Sequence, residues 1–74
     1  MDIRVDTVGQ VKVMVFNIAG EEVVKLMDLY QNVGNYRVSW DGKNRSGEMC
    51  GNAVYFVVIV QPSGHMIKQV IVLK

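Results

Sequence analysis

Between Gln10 and Asn17 the residues Val11, Val13 and Val15 alternate with Lys12, Met14 and Phe16. A repeat of two is what a β-strand presents, because successive side chains point to opposite faces; a helix would scatter those three valines around its axis. The alternation recurs from Tyr36 to Asp41, where Tyr36, Val38 and Trp40 interleave with Arg37, Ser39 and Asp41. Both stretches are expected to be strands with their apolar side inward. Helical spacing occurs only over Glu21 to Tyr30, through Val23, Leu26, Met27 and Tyr30. Val24, Leu26 and Asp28 also fit a repeat of two, and the bounding glycines leave a segment of strand length, so a strand is expected there too.

Turn chemistry separates these runs. Ile18-Ala19-Gly20-Glu21 reads as a hairpin turn in which Gly20 supplies a positive φ. Gln31-Asn32-Val33-Gly34-Asn35 is a second turn, and Pro62-Ser63-Gly64 a third, between the runs Ala53 to Gln61 and His65 to Lys74. Short strands at even spacing with glycine turns imply a β-sandwich or small barrel.

One run departs from the usual pattern. Tyr55, Val57 and Ile59 make one apolar face, and Phe56, Val58 and Val60 make another. The last run behaves similarly, with Ile67, Ile71 and Leu73 opposite Val70 and Val72. A sandwich strand normally shows water one polar face. Phe56, Val58, Val60, Val70 and Val72 are therefore the candidate interaction face, expected to be covered by the N-terminal segment, a second copy or a parent domain.

Composition bounds the function. Seventy-four residues make a single domain, 1–74, and half of them are apolar. A net charge of +1 with interspersed signs gives no footprint for nucleic acid or an anionic membrane. The longest apolar runs fall far short of the ~20 residues of a membrane span. The start, Met1-Asp2-Ile3-Arg4, is not a signal peptide, so a role outside the cytoplasm requires the domain to be the tail of a longer exported chain. Cys50 is the lone cysteine, which excludes an internal disulfide and a multi-cysteine zinc site.

The polar stretch Asp41-Gly42-Lys43-Asn44-Arg45-Ser46-Gly47 is the obvious place to look for a ligand. In a calcium loop Lys43 and Arg45 would occupy ligand positions, and cations cannot serve there. A phosphate cradle needs a longer glycine pattern opening a helix. The alternative is a turn in which Asp41 and Asn44 accept local backbone N–H groups while Gly42 and Gly47 take conformations closed to other residues. Asn44-Arg45-Ser46 also matches the N-glycosylation acceptor pattern. His65 has no cysteine or carboxylate near it in sequence for metal binding, and Ser63 with His65 lacks nucleophile-elbow spacing. Trp40 falls within an inward alternation, as a core anchor, and not as a sugar platform. No catalytic residue, metal site or cofactor is expected, and no enzyme.

The segments "GQVKVMVFNIAGEEVVKL", "GNYRVSWDGKNRSGE", "AVYFVVIV" and "KQVIVLK" together resemble the FlgD-like immunoglobulin-type domain and the related C-terminal sorting domains of type IX secretion cargo. Gly20, Val23 and Leu26 match the family's first hairpin; Gly34, Tyr36, Val38, Trp40, Asp41 and Gly42 its central signature; Ser46 and Gly47 its loop; Tyr55 and Phe56 its late aromatic pair. Ala53 stands where the family usually has glycine, with Gly51 displaced, and Val58 and Val60 fill outward positions that are commonly polar. The proline-containing segment that leads into sorting domains is absent from the chain given.

The resemblance implies an all-β, immunoglobulin-like antiparallel sandwich of about seven short strands. It implies a non-catalytic C-terminal module of a larger bacterial exported protein, for secretion, sorting or anchoring at the cell surface, with Lys68, Leu73 and Lys74 as a terminal signal. Its partners would be a parent-chain domain or the secretion machinery, or a second copy through the second apolar face. The alternatives are an assembly or spacer domain of the flagellar hook-cap type and, last, carbohydrate binding through Tyr30 or Tyr36.

Overall fold

A computed structural model describes residues 1–73 as six strands: β1 (Asp2–Val5), β2 (Gly9–Phe16), β3 (Glu22–Gln31), β4 (Gly34–Arg37), β5 (Ala53–Gln61) and β6 (Gly64–Val72). Two tight reversals organise the larger sheet. At the first, Gly20 takes φ of +83°, and the Asn17 N–H donates to the Glu21 carbonyl at 3.0 Å. The Asn17 side-chain oxygen accepts from the N–H groups of Ala19 and Glu21, so the corner satisfies its own donors. Pro62 and Ser63 make the second reversal, between β5 and β6.

β2 and β5 then pair, giving an antiparallel four-stranded sheet in the order β3-β2-β5-β6. β1 and β4 form a separate two-stranded antiparallel sheet. The two sheets pack together as a small β-sandwich, the all-β architecture expected from the alternation. The segment Glu22–Gln31 is a strand and not a helix.

The core lies between the layers. Ile3, Val5 and Val38 from the small-sheet side meet Val11, Val13, Val15, Tyr55, Val57 and Ile59 from the large sheet. Val11, Val13, Val15 and Val57 are fully buried. At ~1.5–3 kcal/mol for each such side chain, this row supplies much of what holds a chain of this size together.

The six strands come close to the expected count of about seven. Two expectations are corrected. The expected strand from Tyr36 to Asp41 stops at Arg37. Backbone pairing runs one residue further, because the Val38 N–H donates to the Met1 carbonyl and the Met1 amino group to the Val38 carbonyl. Beyond that point the Trp40 indole N–H donates to the Lys43 carbonyl at 2.9 Å, which turns the chain away from the sheet. Secondly, the N-terminal segment does not cover the second apolar face: β1 pairs with β4, and its Ile3 and Val5 face the core.

Candidate interaction surface

The loop that invites a ligand search is a pair of self-satisfied turns. Asp41 Oδ1 accepts from the Lys43 N–H at 3.0 Å, and Asn44 Oδ1 accepts from the Ser46 and Glu48 N–H groups at 2.9 and 3.0 Å. Gly42 and Gly47 adopt φ of +81° and +83°, which a Cβ disfavours. The Asn44 and Glu48 backbones are bonded at 2.8 Å, and Lys43 bridges to Met49. The acceptor oxygens are thus occupied by the loop's own N–H groups. Arg45 ties the loop to β3, through its side chain to the Glu22 carboxylate at 2.9 Å and its N–H to the Val23 carbonyl at 3.2 Å. An open groove of about 590 Å³ lies between this loop and β3, lined by Lys25, Trp40, Asp41, Lys43 and Arg45 among others. Among the described residues no three His, Cys, Asp or Glu side chains gather as metal ligands.

The signature residues hold the loop end of the sandwich. Trp40 is half-buried at the rim of the core, not sealed within it, and meets buried Tyr55 edge to face. The Tyr55 hydroxyl donates to the Gly51 carbonyl at 2.9 Å, and burial pushes its phenol above the ordinary value, with Cys50 beside it acting the same way. The Cys50 N–H donates to the Gly42 carbonyl at 2.8 Å. Gly34 keeps an ordinary φ and faces the Tyr36 ring. Tyr36 is half-buried, its hydroxyl bound to the Asn32 carbonyl at 2.6 Å, whereas Tyr30 is exposed. Trp40, Tyr55 and Tyr36 each spend their polar end on a backbone carbonyl.

The serine of the last reversal is bonded to the loop after β1. Ser63 Oγ donates to Asp6 Oδ1 at 2.6 Å, and this bond holds the Asp6 carboxyl below its ordinary value. His65 is exposed at the start of β6.

What remains is the outer face of the four-stranded sheet. Residues directly opposite one another in a ladder share a face. Met14, Val58 and Ile67 form one row across β2, β5 and β6; Phe16, Phe56 and Gln69 form the next; Val54 and Ile71 follow. The small sheet packs against the other side, so among the described residues no third layer covers these rows. Ile67 and Ile71 are 58% and 60% exposed. These rows gather apolar side chains on one face, interrupted by Gln69, and such a face is a candidate contact surface.

The membership of that face differs from the expected set. Phe56, Val58 and Val60 lie on it. Val70 and Val72 do not: Val70 is opposite Tyr55 and Val72 opposite Ala53, and both pack against the core. Ile67 and Ile71 take their place, with Met14 and Phe16 from β2. Ladder register decides this, and register is invisible until the hairpin is known. Of the terminal residues, Lys68 and Leu73 are exposed, and Lys74 lies outside the described residues.

No family model, curated protein or solved structure matches the chain.

Proposed function

We propose that this chain is a non-catalytic accessory module of a larger exported bacterial protein, and that it works by docking its bare sheet face on a folded partner. The partner is a neighbouring domain of the parent chain or the secretion machinery. The row Met14–Val58–Ile67 carries the reading, because it puts apolar side chains on three adjacent strands with no layer over them. The loop residues support the same conclusion from the other side, since their polar atoms are spent on holding turns.

Export is the specific role drawn from the family resemblance, and Lys68, exposed midway along β6, and Leu73, exposed just past it, are where a terminal signal would be read. The test is an exported reporter carrying this segment at its C-terminus, in a host with the secretion machine. The intact segment takes the reporter to the cell surface, and Val58→Lys leaves it in the periplasm. A reporter that stays in the periplasm with the intact segment rejects the export role. A Val58→Lys segment that travels as well as the original rejects docking by this face.

A second reading, an assembly or spacer domain of the hook-cap type, is favoured by how apolar the outer rows are. Permanent interfaces are more apolar than transient ones. Under that reading Val58→Lys abolishes assembly of the parent protein and leaves its export intact.

A further inference from the structure

The two edges of the four-stranded sheet are built differently. Along β3 the pairing with β2 slips twice, leaving Leu26 and Val23 outside the ladder as bulges. Arg45 caps that edge, donating to the Glu22 carbonyl from its guanidinium at 3.1 Å and to the Val23 carbonyl from its N–H at 3.2 Å. Glu22, Lys25 and Asp28 add charge. Bulges, charges and a covering loop are the devices that stop a sheet edge from recruiting another strand. β6 has neither a bulge nor, among the described residues, a covering loop, and carries a single charge. It runs nine residues in unbroken register with β5, without proline, and Lys68 is its one Lys, Arg, Asp or Glu.

One hydrogen bond sets the direction of the free backbone groups on β6. The Asn17 N–H points at Glu21, towards β3. Along an antiparallel strand the backbone groups alternate sides, so Phe16, Met14 and Lys12 turn theirs towards β5. Their partners Phe56, Val58 and Val60 face back, which leaves Tyr55, Val57 and Ile59 bonding to Val70, Lys68 and Met66. Ile67, Gln69 and Ile71 therefore turn their N–H and C=O groups out of the sheet.

We propose that β6 pairs antiparallel with β6 of a second copy of this chain, about a two-fold axis at Gln69, to make one continuous sheet through both molecules. This rests on the reading of the chain as a contact module and names a partner for it. A strand pairing with itself about a two-fold is self-complementary, and the ladder closes only in registers that bring outward-turned residues together. With the axis at Gln69, Ile67 meets Ile71 of the second copy, in both directions, and Gln69 meets its own counterpart. Moving the axis to Lys68 sets two ammonium groups opposite each other, and moving it to Val70 sets Gln69 against isoleucine. The Gln69 register also joins the two outer apolar faces into one surface.

Sedimentation equilibrium of the whole chain between ~10 μM and ~1 mM tests this, a range that spans weak association. The chain forms dimers there. Ile67→Lys and Gln69→Pro each weaken dimerisation at least tenfold, while Val58→Lys, one strand away from the joint, changes it less than threefold. Proline at Gln69 removes an outward N–H and spares the bonds to β5; circular dichroism and the urea midpoint report whether each variant is folded, and Ile67→Lys decides alone if the proline variant is not. A chain that stays monomeric throughout overturns self-pairing, and so does a dimer indifferent to Ile67→Lys. A dimer lost on Val58→Lys overturns it in favour of face-to-face stacking. None of these results bears on the reporter's fate, which tests the contact reading separately.

Discussion

Trp40 and Tyr55 meet edge to face at the loop end of the sandwich, ring centroids 5.2 Å apart and planes at 69°. Each ring is also tied to the backbone by its polar end, Trp40 to the Lys43 carbonyl and Tyr55 to the Gly51 carbonyl. The pair thereby joins the buried strand β5 to the segment that closes the loop, and it fixes residues 40–51 without any strand there.

Trp40→Phe is expected to cost about 1 kcal/mol, the worth of one hydrogen bond and part of the ring contact. Trp40→Ala is expected to cost about 2–3 kcal/mol, below the range for a fully buried aromatic because the indole is half-exposed. Urea denaturation of the three proteins measures both: equal costs for the two substitutions would remove the ring contact from the account, and a costless Trp40→Phe would remove the hydrogen bond.

Val57 and Val58 are neighbours in sequence on opposite faces of one strand. Val57 is fully buried, so lysine there buries an unpaired charge and leaves the chain unfolded. Lysine at Val58 projects from the outer face and changes stability by less than about 1 kcal/mol. Thermal melts monitored by circular dichroism separate the two outcomes.

Much of this was readable from the residues alone. Val11, Val13 and Val15 announce a buried row by spacing, and Gly20, Asp41, Asn44 and Gly47 announce turns by chemistry. The limits have physical causes. The alternation at Tyr36, Val38 and Trp40 describes which side chains face inward, but inward-facing residues continue past the last ladder bond, so alternation overstates the strand's length. Val70 and Val72 cannot be told from Ile67 and Ile71 by pattern, because both faces of β6 carry apolar residues and only its register with β5 separates them. Nothing local in the sequence shows that β3 is the capped edge and β6 the bare one, since Arg45 reaches β3 from 23 residues away.

Glycine substitutions distinguish strain from crowding. Gly20 has φ of +83° with nothing within 4 Å of an added Cβ, so Gly20→Ala costs only backbone strain, about 1 kcal/mol. At Gly9, where φ is +154° and a side chain is strained as well, an added Cβ would stand 2.5 Å from Pro62 Cγ, which must move. Gly9→Ala therefore costs more than about 2 kcal/mol, in the range of overpacking. Urea midpoints rank the two, and the reverse order would contradict the contact between Gly9 and the β5–β6 turn.

The carboxyls of Asp6 and Asp28 are held below their ordinary value of 3.8, Asp6 by the Ser63 hydroxyl and Asp28 by the Gln10 amide. A carboxylate favoured in the folded state contributes stability above its unfolded pKa and loses it as pH falls through the folded value. Stability is thus expected to fall with acid below about pH 4, modestly because both groups are exposed. Ser63→Ala moves the Asp6 titration upward and leaves Asp28 unchanged, as carbon-detected NMR of the carboxyls would read. No movement at Asp6 would remove the Ser63 bond from the account.

The bare outer face of the large sheet is tested most directly by methyl NMR of the dilute chain with a soluble paramagnetic agent added. The methyl signals of Val58 broaden steeply while those of Val57, next to it in the chain, keep their width. Equal protection of the two valines would mean that something covers the outer face, and the docking account would fall with it.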